Sequence, residues 1–128
     1  MKQLKILIVD DHPFMVDGIR TFLESHKSKY QFIVDVATDG EMAVNKENAY
    51  KFDVIIMDMR LPKLDGIQAT QAILRNHPKT KILAFSHYDE YANISAIMKA
   101  GARGYVVKNI DPPNFIEAIE KILKGEIY

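Results

Sequence analysis

Short apolar runs recur along the chain, and each is stopped by a polar residue. Val54-Ile55-Ile56-Met57 ends in Asp58, followed by Met59-Arg60-Leu61-Pro62. A run of that length, rich in β-branched residues and closed by a proline-containing loop, reads as a strand buried on both faces of a parallel sheet. Leu4–Val9 repeats the pattern and runs into Asp10-Asp11. Lys81–Phe85 ends in Ser86, and Tyr105–Val107 ends in Lys108. Gln31–Ala37 alternates instead, which suits a more exposed edge strand.

Between these runs the period changes from two to that of a helix. His12-Pro13 opens a helix with Asp11 as its expected cap, and Met15, Ile19, Phe22 and Leu23 recur at helical spacing before it frays across Ser25–Lys29. Thr38-Asp39-Gly40 turns into a weak helix over Glu41–Tyr50, whose Asn45–Asn48 face reads as solvated. Leu61–Gly66 forms a constrained loop with a proline and an Asp-Gly turn. The remaining helices span Ile67–Asn76, Asp89–Ala100 and Pro112–Lys124. Ile94, Ile97 and Met98 form the inner stripe of the second, and Gly101 stands at its C-cap. Phe115, Ile116, Ile119, Ile122 and Leu123 line one side of the last.

Five strands alternating with five helices predict an α/β fold: a flavodoxin-like (βα)5, doubly wound, five-stranded parallel sheet in the order 2-1-3-4-5. No repeat or linker interrupts it, so residues 1–128 read as one domain. Composition narrows the classes further. There is no cysteine, which excludes disulfides and thiolate metal sites. Seventeen basic residues balance seventeen acidic ones, leaving no long-range attraction for nucleic acid or an anionic membrane. The apolar run after Met1-Lys2-Gln3 is too short for a signal peptide, and no segment approaches membrane-spanning length, so the expected location is a reducing cytoplasm.

The predicted order makes strands one and three the switch point, where open α/β sheets bind ligands beyond the strand ends. Asp10, Asp11 and Asp58 then surround one crevice, with Ser86 and Lys108 ending the neighbouring strands. Each has a simpler role: Asp11 as a cap, Ser86 as a satisfied loop hydroxyl, Lys108 as a solvated ammonium. Together they are complementary. Three carboxylates a few ångströms apart stay ionised only if a cation joins them. With no histidine or cysteine expected among them, the ligand set is all oxygen and favours Mg2+ or Mn2+ over Zn2+. A carboxylate can attack phosphorus to form an aspartyl-phosphate, with metal and lysine neutralising the charge on the phosphoryl oxygens.

The motifs Val9-Asp10-Asp11-His12-Pro13, Met57 to Gly66, Ser86 and Gly101 to Lys108 resemble, in order and over nearly the whole chain, the receiver domain of two-component response regulators. The resemblance implies that Asp58 accepts a phosphoryl group from the phosphohistidine of a sensor histidine kinase. It implies a Mg2+ site made by Asp11 and Asp58 directly, by Asp10 often through water, and by the backbone carbonyl of Arg60. It implies that Lys108 binds the phosphoryl group and that Ser86 and Tyr105 form the switch pair. The Asp-Asp-His-Pro opening and the Gly-Ala-Arg-Gly-Tyr run are similar to the regulators with a LuxR-type helix-turn-helix, whose DNA-binding domain follows the receiver; with that output domain absent from the chain, it reads as an excised receiver in preference to a stand-alone one.

Several positions depart from the pattern. His87 replaces a frequently small residue and narrows access to Asp58. Asn109 replaces a frequent proline, which puts a cis bond after Lys108 in doubt. Arg60 and Tyr88 are large where the family tunes attack by water, and His12, His26 and His77 lack ligand spacing. Three other readings fit less well. A haloacid-dehalogenase-type phosphatase wants an aspartate at Arg60, and Asp10-Asp11 would repel a flavodoxin's FMN phosphate. A receiver working without phosphorylation has no need of the complete acidic set. Dimerisation on phosphorylation, through the last helix or the fourth-helix surface, is a further expectation.

Overall fold

The computed structural model describes residues 2–26, 30–87 and 91–128. Its elements run β1 (Lys2–Val9), α1 (Pro13–Ser25), β2 (Tyr30–Ala37), α2 (Gly40–Ala49), β3 (Val54–Asp58), α3 (Gly66–Asn76), β4 (Ile82–Ser86), α4 (Tyr91–Ala100), β5 (Gly104–Val107) and α5 (Pro112–Leu123). The strands form one sheet in the order β2-β1-β3-β4-β5, with every pairing parallel. The expected architecture and strand order are what the chain adopts. The expected starts of the fourth helix at Asp89 and the fraying at Lys27–Lys29 fall outside the described residues.

Each strand sends alternate residues to two separate cores. Ile6, Ile8, Val54, Ile56, Leu83, Phe85 and Val106 meet α1 and α5 on one face. Leu7, Val9, Ile55, Met57, Ile82 and Ala84 meet the residues of α2, α3 and α4 on the other. All five residues of β3 and of β4 are buried, as continuous apolar runs in the middle of a parallel sheet require. β2 lies at the edge with Ile33 exposed. Its outward carbonyls are covered by side chains: Arg20 donates to the carbonyl of Val34 at 3.3 Å, and Lys46 to that of Val36 at 2.7 Å. Asp35 accepts from the Val36 amide at 2.8 Å, so half of this edge is closed to another strand.

Three expectations need correction. Asp11 does not cap α1; the N-cap is His12, which makes no side-chain cap bond, and Pro13 at the helix start removes one amide that would need a partner. Nor is the last helix supplied with spare apolar residues for a dimer face. Phe115, Ile116, Ile119 and Ile122 are all buried in the α1/α5 core.

The third correction concerns α2. Glu47, placed on its solvated face by the polar run around it, is only 1% exposed. Its Oε1 accepts from the Phe52 amide at 2.9 Å, and its Oε2 accepts from the Thr80 hydroxyl. One carboxylate thus ties together the entrances to β3 and β4. Glu47→Ala leaves a part-buried amide and a buried hydroxyl without an acceptor, and is expected to cost about 2–4 kcal/mol. Urea unfolding checks this; a loss below about 0.5 kcal/mol, the range of an ordinary surface change, would contradict it.

Candidate functional site

The site lies at the carboxyl ends of β1, β3 and β5. Parallel register brings Val9 beside Met57, so the next residues, Asp10 and Asp58, emerge side by side. Both are buried, at 1% and 2% exposure, whereas Asp11 faces the rim. Lys108 lies just past β5, two residues beyond Val106, which pairs with Phe85. Its side chain runs back over the Phe85 ring, 5.8 Å from the centroid, and sets Nζ 3.0 Å from Asp58 Oδ1 and 3.6 Å from Asp10 Oδ2. The apolar stem is packed and the charged tip points into the carboxylates.

Behind the cluster the β3–α3 loop folds tightly onto the strand end. The Gly66 amide donates to the carbonyl of Met59 at 3.0 Å, and a Cβ at Gly66 would collide with the carbonyl oxygen of Asp58. Only glycine permits that approach. Asp65 then starts α3 with a capping box shared with Gln68, which anchors the far end of the loop.

The electrostatics follow from burial. Asp58 has its pKa raised, first because burial penalises the charged form, then because Asp10 is beside it; Lys108 and the Arg60 backbone amide pull the other way. Asp10 Oδ2 and Asp58 Oδ2 are buried and accept no hydrogen bond. Two oxygens without donors, next to a third carboxylate at the rim, suit a hard divalent cation.

A histidine also stands in this cluster, where none was expected. His12 Nδ1 lies 2.8 Å from Asp10 Oδ1, 3.3 Å from Asp11 Oδ1 and 3.9 Å from Asp58 Oδ2. Its pKa is raised, chiefly by the hydrogen bond to Asp10. The signal was its position directly after Asp10-Asp11, where a turn back toward the strand end is short enough to return the ring.

Ser86 ends β4 fully buried, and its hydroxyl has no hydrogen-bond partner. Tyr105 pairs with Ala84, so Ser86 and Tyr105 share the sheet face covered by α3 and α4. Tyr105 is half-buried there. Arg60 is exposed, as is His87; Tyr88 lies outside the described residues. No described peptide bond is cis, the Lys108-Asn109 bond included.

The sequence profile of the response regulator receiver domain matches residues 6–120. The chain belongs to that family. The receiver is 32% identical to the transcriptional regulatory protein DegU of Brevibacillus brevis, over 98% of this chain and 52% of that protein. It superposes with a TM-score of 0.87 on a LuxR-family two-component response regulator from Aurantimonas, at 33% identity, covering 98% of this chain and 89% of the other. A receiver domain of the sensor histidine kinase PA1611 from Pseudomonas aeruginosa, with magnesium coordinated in its active-site cleft, matches with a TM-score of 0.85 at 27% identity, over 95% of this chain and 98% of that one. These relatives place the receiver with the LuxR/NarL-type regulators. It spans about half the length of the curated relatives it matches. No described helix is long and apolar enough to cross a membrane.

Because Asp58 ionises against its surroundings, its folded pKa lies above the unfolded one. Stability from this group is therefore lost as pH rises from the ordinary aspartate range through the raised value, and regained as pH falls back. In a chelating buffer at pH 7, Asp58→Asn should melt above the parent protein, and the gap should close as the pH is lowered. Equal melting temperatures at neutral pH would contradict the assignment of charge crowding.

Proposed function

We propose that this receiver is a phosphorylation switch in which Asp58 takes the phosphoryl group from a sensor histidine kinase in the cytoplasm. The observation that carries the reading is the Lys108 ammonium 3.0 Å from a buried, crowded Asp58. A carboxylate oxygen of Asp58 attacks phosphorus while the P–N bond of the donor phosphohistidine breaks. The leaving imidazole nitrogen takes a proton from solvent, and Asp58 becomes an acyl phosphate. Water later cleaves the new bond, releasing phosphate and restoring the carboxylate. The only reaction the domain promotes is on itself.

Asp11 and Asp58, the backbone carbonyl of Arg60, and Asp10 through water would hold Mg2+ or Mn2+. The bound cation supplies positive charge to the equatorial phosphoryl oxygens. Lys108 holds a phosphoryl oxygen from the opposite side, its reach set by the Phe85 ring beneath its stem. Phosphorylation adds about −1.5 to −2 charges and new acceptors. The Ser86 hydroxyl, with no partner to give up, moves to donate to them. Tyr105, on the same face, turns into the space released, and the α4–β5 surface changes shape. That surface, rather than α5, is where phosphorylation would promote a homodimer. Where a helix-turn-helix output domain is joined to such a receiver, the readout is transcription. DegU's description as a transcriptional regulatory protein supports that reading.

A groove of about 350 Å³ runs beside the site between α1 and α5, lined by Phe14, Phe22, Phe115 and Lys108 among others. Phe14 is 95% exposed at its rim. An apolar segment of the kinase near its phosphohistidine would dock on this floor, beside the Lys108 ammonium.

Incubation with acetyl phosphate and Mg2+, followed by intact mass, should add one phosphoryl group to the parent protein and none to Asp58→Ala. Lys108→Ala should slow labelling by about 10²-fold or more. Labelling of Asp58→Ala at the parent rate would overturn the assignment. Phe14→Asp should slow transfer from the kinase by about tenfold or more, the effect of losing a hot-spot anchor, while leaving labelling by acetyl phosphate unchanged. Equal slowing with both donors would remove the groove from the account.

A further inference from the structure

We propose that His12 is an additional side-chain ligand of the cation site and tunes it toward borderline transition metals such as Ni2+ and Co2+. The inference rests on the reading of Asp10, Asp11 and Asp58 as a cation site, and it assigns a residue and a metal class beyond that reading. Among the described residues, one donor atom from each of Asp10, Asp11, His12 and Asp58 falls within 4.8 Å of all the others. Around an octahedral ion with bonds of about 2.1 Å, neighbouring donors stand about 3.0 Å apart and opposite ones about 4.2 Å. The separations from His12 Nδ1, at 2.8, 3.3 and 3.9 Å, fall across that range. Two of the carboxylates also present buried oxygens that accept no hydrogen bond, Asp10 Oδ2 and Asp58 Oδ2, with the Lys108 ammonium 3.6 Å from the first, so the cluster has acceptor capacity left for a cation independently of the histidine.

The backbone holds the ring in this position. The His12 amide donates to Asp10 Oδ1 at 2.9 Å, which closes a turn straight after β1. Pro13 then starts α1, so His12 stays at the rim as N-cap instead of being carried into the helix. Its side chain is 61% exposed. The ring therefore borders both the carboxylates and solvent, and Nδ1, which donates to Asp10 Oδ1 here, coordinates once a metal displaces that proton to solvent and the neutral ring keeps its other proton on Nε2. Imidazole favours Co2+, Ni2+ and Zn2+, whereas Mg2+ takes oxygen donors and keeps several waters. Mg2+ is thus indifferent to the ring, and a nitrogen-preferring ion is not.

Any site of this type binds Ni2+ more tightly than Mg2+, so the discriminating quantity is the change when the ring is removed. Calorimetric titration of Ni2+, Co2+ and Mg2+ into the untagged protein should be compared with His12→Ala and His87→Ala, with circular dichroism confirming that each variant is folded. His12→Ala should weaken Ni2+ and Co2+ by at least about tenfold, the low end of what even outer-shell partners contribute. Mg2+ binding should not weaken, and His87→Ala should change none of the three. In the parent protein and in His87→Ala, the Co2+ absorption spectrum should carry a nitrogen-ligand signature that His12→Ala removes. Loss of Ni2+ and Mg2+ affinity in equal proportion, or no loss, would overturn the proposal. Failure of Mg2+ to bind the parent protein would instead overturn the cation site itself.

Discussion

Two carboxylates buried side by side, with one ammonium against them, set the terms for the rest of the molecule. Asp10 and Asp58 are neighbours because β1 and β3 are parallel and in register, and they are buried because both strands are central. Such a pair is unfavourable unless opposite charge is close, and Lys108 provides it at 3.0 Å and 3.6 Å. The surrounding structure keeps the pair in this arrangement. Phe85 and Phe115 form the apolar floor under the lysine, Gly66 lets the loop close behind Asp58, and Glu47 ties the opposite ends of β3 and β4. The two polar clusters occupy opposite edges of one sheet, but only the one at the carboxyl ends lacks donors for some of its buried oxygens.

That difference sets the two most buried carboxylate environments apart. Glu47 is as deeply buried as Asp58, yet both its oxygens accept hydrogen bonds. Asp58 keeps one oxygen without a donor and ionises against its neighbours. A group held in that condition gains when a divalent cation arrives, because the ion offsets the crowded negative charge. Ser86 is in a comparable state on the adjacent strand, as a buried hydroxyl without a partner. Movement of Ser86 toward a phosphoryl oxygen costs no existing hydrogen bond, which suits it to a switch.

Much of this was legible in the sequence, for a definite physical reason. Buried parallel strands need unbroken apolar runs, so a polar residue that ends one, as Asp58, Asp10, Ser86 and Lys108 do, marks the sheet edge at once. The alternation of β2 revealed an edge strand by the same logic. Glu47 was illegible because α2 is weakly amphipathic and its polar residues look alike; only the approach of Phe52 and Thr80 distinguishes one of them. His12 was passed over because it lacks ligand spacing along the chain, whereas the turn after β1 lets the Asp10 carboxylate accept from both its amide and its ring nitrogen. The α5 stripe was assigned spare apolar surface because a periodic pattern shows which face is buried but not how many of its residues the core absorbs.

The central claim is that Asp58 stays crowded and reluctant to ionise until a cation joins the cluster. Carbon-detected NMR titration of the Asp58 carboxyl, with and without Mg2+, tests it directly. The expected result is a pKa above the ordinary aspartate value in a chelating buffer and a fall below that value once Mg2+ is added. An ordinary value in both conditions would mean that neither the crowding nor the cation site exists as described.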